Sequence, residues 1–346
     1  SPNQVVIDVD VEEQPTGSLS FGASFGTANG FGLTAELRER NFLGRGQSVS
    51  LGFNTTDGSE SLSFSFYEPA FLGRELGFGL SGSYDTTDSD FAAYNTESAR
   101  LSPSINFPVS ENGRLSLRYS LGFEEVLDVA VGSQLLSVDE NAGRQIVSSV
   151  GYTYSFDTRT TGLNPDEGLI FRFSQDLAGV GGDKEYLRST FFAGATTEVL
   201  SDEVTLRAVL EGGALNSLND TNSSVTDRFA SSGRLRGFEP NGFGPREGDF
   251  AVGGNYYAVM RLEADFPIGL PEEYGISGGV YFDAGSVWGL DDDQIDDSFS
   301  LRSAIGVSIF WNTAIGPLRF NFSKPLEFEK TLDKTETFDL SVSTSF

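Results

Sequence analysis

Large apolar residues and small or polar residues alternate along most of this sequence. Between residues 301 and 311 every second position is apolar, with one exception at Ser303, and the positions between them carry small or polar residues at most sites. Successive side chains of a β-strand point to opposite faces, so this period of two predicts strands with one apolar and one polar face. No stretch approaches the roughly 18 consecutive apolar residues of a membrane helix. The sequence therefore predicts a β-protein with little helix.

Sixteen segments show this alternation. The predicted strands are 18–25, 31–38, 47–54, 61–68, 75–84, 94–106, 114–125, 143–155, 168–177, 185–198, 203–212, 251–265, 275–285, 298–311, 315–323 and 335–346. Most connections on one rim are short, whereas the other rim carries the longest ones, at 126–142, 213–250 and 286–297. An even number of strands of about ten residues, with short turns on one rim and long loops on the other, is typical of outer-membrane barrels. We predict an all-β, 16-stranded antiparallel transmembrane β-barrel over residues 16–346, in preference to a soluble array of β-sandwiches.

The charge balance excludes one class of partner. The chain has 50 acidic and 23 basic residues, a net charge of −27, and nucleic-acid binding requires a basic face. We therefore expect no nucleic-acid partner. The acidic residues concentrate in segments such as 291–293 and 296–297, which lack the glycine and terminal glutamate of a calcium-binding loop. A solvated outer loop explains them better than a metal site, although divalent ions bridging to anionic lipid remain an alternative.

Composition also argues against an enzyme. The chain contains no cysteine and no histidine, which removes thiol nucleophiles, disulfides and histidine-ligated metals. Residues 22–26, GASFG, match the nucleophile-elbow pattern, but no histidine is present to activate Ser24 and the motif lies inside an alternating strand. We expect no catalytic residues, no metal and no cofactor.

The stretch RLRGFEPNGFGPREGDF, residues 234–250, suits neither a strand nor a flexible linker. Its LRGF core, followed by PNGFGPRE, resembles the sixth-outer-loop signature of the BamA family, which belongs to a superfamily of outer-membrane protein assembly and two-partner secretion barrels. Further matches occur in the family's order, and Phe346 matches the aromatic residue that ends its members. These matches are Asp157-Thr158-Arg159 with Pro165 and Gly168, Gly253-Gly254-Asn255 with Glu263, and Phe282-Asp283-Ala284-Gly285.

The resemblance implies a sixteen-stranded barrel preceded by periplasmic POTRA domains, with the long sixth outer loop folded back into the lumen. Residues 1–15 then form the last strand and linker of a truncated POTRA domain. The resemblance also implies that the chain lies in the bacterial outer membrane. There it would insert unfolded β-barrel substrates among the outer-membrane lipids. The implied partners are those substrates and accessory lipoproteins that bind through the missing POTRA domains.

The chemistry of the loop indicates what it contacts. Gly237, Gly242 and Gly244 permit tight turns with positive φ. An arginine inside a barrel must be paired, because an isolated buried charge costs several kcal/mol. Strand parity places Glu263 and Asp283 on inward faces, so either carboxylate can accept from Arg236. If the two strands that carry these acids form a simple hairpin, their pairing separates Glu263 from Asp283 by several residues. The sequence therefore leaves open whether Arg236 pairs with Glu263 or with Asp283. The expected lock between loop and lumen comprises Arg236, Gly237, Phe238, Glu263, Asp283 and Gly285.

Closure of the barrel requires the first strand to pair with the last. Both are rich in glycine and serine, which pack weakly across strands, so this contact is expected to open most easily. An opened contact exposes backbone groups to which an incoming strand can add. The expected lateral-gate residues are Leu19, Phe21, Ser341, Ser343 and Phe346. The resemblance places a glycine where Ser343 stands, which puts inward kinking of the last strand in doubt.

These features favour an insertase that adds substrate strands at this gate. Two alternatives remain at this level. The first is a passive porin or secretion pore plugged by the sixth loop, and the second is a barrel that only anchors periplasmic domains.

Overall fold

The fold is described by a computed structural model of the chain. It describes residues 12–27, 30–88, 92–159, 167–200, 203–219, 222–291, 295, 297–313 and 316–345. Residues 1–11, which include most of the expected POTRA strand, and Phe346 lie outside this description, as do Pro165, Asp292, Asp293 and Asp296. Residues 12–16 precede the first strand without regular secondary structure.

Sixteen antiparallel strands of the described chain close into a barrel, as the alternation predicts. Each strand of the barrel pairs with the next barrel strand along the chain. Strand β11 pairs with β14, because β12 and β13 lie in a loop, and β18 pairs with β1 to close the barrel. The strands are β1 Gly17–Gly26, β2 Gly30–Phe42, β3 Gln47–Thr56, β4 Ser59–Glu68, β5 Gly77–Thr87, β6 Asn95–Pro108, β7 Gly113–Leu127, β8 Gln145–Asp157, β9 Gly168–Ala178, β10 Tyr186–Val199, β11 Val204–Ser217, β12 Arg246–Glu247, β13 Phe250–Ala251, β14 Tyr256–Pro267, β15 Ile276–Trp288, β16 Arg302–Thr313, β17 Gly316–Glu327 and β18 Phe338–Ser345.

The two faces of the strands differ as their sequences predict. In β16 the outward residues Ile305, Val307 and Ile309 are exposed, whereas the inward residues Ala304 and Ser308 are almost completely buried. The outward side chains form the apolar surface that a barrel presents to lipid. No helix among the described residues is long and apolar enough to cross a membrane.

The long connections lie on the rim where β1 ends and β2 begins. The one between β7 and β8 contains the helix α1, Gln134–Ala142, which begins after the N-cap Ser133. We call residues 218–255 the sixth loop and residues 328–337 the eighth loop. The sixth loop contains the β12–β13 hairpin, so the strand predicted to start at residue 251 begins only at Tyr256. The prediction failed there because Gly253 adopts φ +71°, which interrupts the alternating backbone.

The sixth loop packs against the inner wall of the barrel. Its side chains Leu235, Phe238 and Phe243 are buried in one cluster with Val287 and Ala304, which are inward residues of β15 and β16. The rings of Phe238 and Phe243 meet edge to face at 5.2 Å. Burial of these side chains gives the loop an apolar anchorage beside its polar contacts.

Candidate functional site

Arg236 lies at the centre of the contact between the sixth loop and the wall. Its Nε and Nη2 donate to the two carboxylate oxygens of Asp283 at 2.8 and 2.7 Å, and its backbone N–H donates to the same carboxylate at 3.1 Å. Its Nη1 donates to Glu263. The guanidinium also lies 3.6 Å above the ring of Tyr281. Asp283 has an exposed fraction of 0%, so its charge depends on this guanidinium for compensation.

The register of β14 and β15 explains why one arginine reaches both acids. Arg261 stands opposite Asp283, and Glu263 stands opposite Tyr281. The two carboxylates are therefore diagonal neighbours on the inner face, within reach of one planar guanidinium. The expectation that a hairpin register separates them by several residues is wrong, because β14 continues to Pro267 and pairs there with Ser277, which brings Glu263 closer to Asp283 than the predicted strand ends imply.

Glu263 has two further partners that sequence reasoning did not assign. Arg207 of β11 donates to its Oε1 at 3.4 Å. Arg319 of β17 donates to the same carboxylate oxygen as Arg236. A buried pair, Arg302 of β16 with Asp333 of the eighth loop, lies on the same side of the barrel, with Nε to Oδ2 at 3.0 Å. The alternation of β17 places Arg319 on the same face as the buried Asn321. Only the tertiary register shows which acid it meets.

The glycines of the signature allow the backbone to approach the wall. Gly237 has φ +88°, and a Cβ there would lie 3.0 Å from that of Ala304. Gly244 has φ +100°, as expected for a tight turn. Gly242 does not adopt positive φ, which corrects the prediction. Its lack of a side chain is required instead because a Cβ would meet the carbonyl oxygen of Lys334 at 2.5 Å. Gly285 is required for a similar reason, since a Cβ would meet a backbone oxygen of β14 at 2.6 Å.

The second expected site is the seam, by which we mean the contact of β1 with β18. In the described residues its ladder runs from Gly22 opposite Ser345 to Gly26 opposite Ser341. By contrast, β1 pairs with β2 along its whole length, from Gly17 to Gly26. The ladder of β18 with β17 is also short, from Leu318 opposite Val342 to Phe322 opposite Phe338. Strand β18 is thus held by a short ladder on each side.

The expected gate residues fall at different places on the seam. Ser341 and Ser343 lie opposite Gly26 and Ser24 in the ladder. Leu19 and Phe21 are exposed side chains of β1 and lie beyond the described ladder, while Phe346 lies outside the described residues. Ser24 is internal to a strand, so the GASFG motif lacks the strand-turn-helix context of a nucleophile elbow.

A third contact ties the sixth loop to the outer helix. The carboxylate of Glu247 accepts from the backbone N–H groups of Gln134 and Leu135 at 2.8 and 3.1 Å and from the hydroxyl of Ser133. Burial opposes ionisation of this carboxyl, but these hydrogen bonds outweigh burial and lower the pKa of Glu247. The carboxylate therefore caps the N-terminus of α1.

The arrangement combines ion-pair anchorage of the sixth loop with a short backbone ladder at the seam. No group of three or more acidic side chains in the described residues is placed to hold a metal ion.

The chain is similar to known proteins over most of its length. The family model described as the Omp85 superfamily domain matches residues 41–346. The outer membrane protein assembly factor BamA of Neorickettsia risticii is 28% identical over 99% of this chain and 47% of its own length. The Xenopus tropicalis homolog of sorting and assembly machinery component 50 is 27% identical over 77% of this chain and 57% of its own length. The chain thus spans about half the length of these curated relatives.

A solved structure has the same fold. BamA from Haemophilus ducreyi lacking POTRA domains 1–3 superposes with a TM-score of 0.83 at 21% identity, over 97% of this chain and 71% of that one. CdiB from Acinetobacter baumannii matches less well, with a TM-score of 0.58 at 15% identity over 95% of this chain and 59% of that one. The barrel and these relatives place the chain in the bacterial outer membrane. Because the family model covers most of its length, the chain belongs to the Omp85 superfamily.

Proposed function

We propose that this barrel folds and inserts other β-barrel proteins into the outer membrane by adding their strands at the seam. The relatives named as assembly factors support the general activity. The observation that carries the mechanism is the short ladder between β1 and β18, which involves only the Gly22–Gly26 part of β1 in the described residues. Few backbone hydrogen bonds must break for this contact to open.

Opening the seam creates an edge that a substrate can use. A strand edge in hydrocarbon carries unpaired N–H and C=O groups, each of which costs several kcal/mol. An incoming substrate strand can satisfy those groups by antiparallel pairing. The exposed Leu19 and Phe21 lie on the same strand and offer an apolar surface beside that edge. Insertion needs no covalent step and no nucleotide in this scheme.

The lock at Arg236 holds the sixth loop in one position on the inner wall of the barrel. A bidentate guanidinium with two carboxylates fixes orientation as well as distance. The proposed partners are unfolded outer-membrane β-barrel substrates, outer-membrane lipids and, through POTRA domains, accessory assembly lipoproteins.

The proposal is tested by reconstitution. The protein, together with its POTRA domains, is placed in lipid vesicles, and the folding of an unfolded barrel substrate is timed against vesicles without protein. Faster substrate folding is expected, and an unchanged rate would contradict the proposal. Conductance separates it from a passive pore: a porin conducts strongly with its loop in place, whereas an assembly barrel filled by its sixth loop conducts little.

A further inference from the structure

A row of polar side chains leads along the inner wall from the sixth loop toward the seam. Glu263 accepts from both Arg236 and Arg319. The Nε of Arg319 donates to Oδ1 of Asn321 at 3.0 Å. Asn321 is 3% exposed, and its oxygen also accepts from the hydroxyl of Ser308 at 2.7 Å. With its oxygen bound to two donors, the amide of Asn321 must direct its nitrogen to an acceptor.

That acceptor lies on the last strand and connects it to the first. Nδ2 of Asn321 donates to Oδ1 of Asp339 at 2.9 Å, and the hydroxyl of Thr27 donates to Oδ2 of Asp339 at 3.1 Å. The backbone N–H of Thr27 also donates to the carbonyl of Leu340 at 3.1 Å. Thr27 follows β1 directly, so Asp339 bridges β17 and β1 at the outer end of the seam.

A second connection reaches β18 through backbone hydrogen bonds. The N–H of Glu239 donates to the carbonyl of Lys334 at 3.1 Å, and the N–H of Lys334 donates to the carbonyl of Gly242 at 2.8 Å. The N–H of Glu336 donates to the carbonyl of Gly237 at 3.0 Å. The sixth loop therefore pairs with the eighth loop, the segment that leads directly into β18.

We propose that Asp339 is a positioning residue that closes the outer end of the seam, and that its hold on Thr27 depends on the Arg236 lock. When the lock is made, Arg319 and Asn321 are held in the orientation that presents an N–H to Asp339. When Arg236 leaves, Glu263 keeps only Arg319 and the more distant Arg207, and Gly237 no longer restrains the eighth loop. The seam then opens from its outer end. This inference rests on the proposed function, for which it supplies a control of the gate.

Amide hydrogen exchange at the seam tests the hydrogen bond from Thr27 to Asp339, which we call the latch. Thr27→Val keeps the shape of the side chain but removes its hydroxyl, while Thr27→Ser keeps the hydroxyl. Loss of a hydrogen bond to a carboxylate is expected to speed exchange of the amides of 22–26 and 341–345 by a factor of about 5–30 in Thr27→Val. Thr27→Ser is expected to exchange like the parent.

A matched control lies one strand away from the seam. Thr34 donates its hydroxyl to Asn54 at 2.9 Å between β2 and β3. Thr34→Val removes a comparable cross-strand hydrogen bond and is expected to leave exchange at the seam unchanged. If Thr27→Val also leaves it unchanged, or if Thr34→Val accelerates it equally, the latch is overturned.

Coupling to the lock is tested by combining two changes. Arg236→Lys and Thr27→Val are each expected to accelerate exchange at the seam, and together they should accelerate it by clearly less than the product of the single effects, because both act on one connected row. A full product of the two effects would overturn the dependence on Arg236. Exchange reports closure of the seam without any substrate, so its outcome is independent of whether the barrel assembles proteins.

Discussion

The guanidinium of Arg236 donates to both oxygens of the Asp283 carboxylate, through Nε at 2.8 Å and through Nη2 at 2.7 Å. Asp283 is fully buried, and its carboxylate accepts a third hydrogen bond from the backbone N–H of Arg236. Glu263, by contrast, contacts Arg319 and Arg207 as well as Arg236. The two acids are therefore unequal partners of Arg236, and the difference can be measured.

A double-mutant cycle distinguishes the two acids. Arg236→Ala combined with Asp283→Ala should cost less than the sum of the single changes, with a coupling of about 2–3 kcal/mol in the upper part of the usual range for contacting residues. The coupling of Arg236 with Glu263 should be smaller, because Arg319 still compensates Glu263. The free energy of unfolding of each variant, from denaturant titration in detergent, provides the measurement. Additivity with Asp283 alongside strong coupling with Glu263 would reverse the assignment.

Two arginines of the sixth loop should differ in their importance for docking. Arg246 donates to backbone carbonyls, at 2.9 Å to that of Asp249 and also to that of Asn241, whereas Arg236 donates to carboxylates. Hydrogen bonds to charged groups contribute about 1.5–3 kcal/mol and neutral ones about 0.5–1.5 kcal/mol. Arg236→Ala should therefore expose the loop to protease cleavage within 226–250 more than Arg246→Ala does. Equal cleavage of both variants would argue against the lock.

Acid should loosen the contact between the sixth loop and α1. The pKa of Glu247 is lowered below the ordinary 4.5 in the folded state, so its stabilising contribution is present above that pH and is lost as the pH falls through the lower, folded pKa. Amide exchange in α1, corrected for its intrinsic pH dependence, should accelerate below pH 4.5. Glu247→Gln removes the titrating group, and the acceleration should disappear in this variant. Persistence of the acid effect in Glu247→Gln would assign it to another group.

The sequence predicted the barrel well because the pattern of each strand is local. The alternation of apolar and polar residues predicted which side chains of β16 and β17 point outward and which point into the lumen. It also placed Glu263 and Asp283 on the lumen side. It failed where contacts depend on register between strands, as in the reach of Arg236 to both acids. It also missed α1 and the β12–β13 hairpin, because these short elements are stabilised by each other through Glu247 rather than by their own periodicity.

The proposed function requires the seam to open during assembly, and a disulfide across the seam tests this requirement directly. Ser24 stands opposite Ser343, and the chain contains no cysteine, so Ser24→Cys with Ser343→Cys creates a single pair. Because Thr27 and Leu340 form a hydrogen-bonded pair, alternation makes Ser24 and Ser343 a non-hydrogen-bonded pair, whose typical Cα separation of about 4.5 Å suits a disulfide.

The control pair is Ser50→Cys with Ser65→Cys. These serines face each other across β3 and β4, with their hydroxyls 2.7 Å apart, away from the seam. Folding of a barrel substrate is timed in vesicles with each oxidised variant and again after reduction. Oxidation across the seam should abolish assembly and reduction should restore it, while the control pair remains active in both states. Full activity with the seam demonstrably cross-linked would contradict strand addition there and leave perturbation of the bilayer as the better explanation.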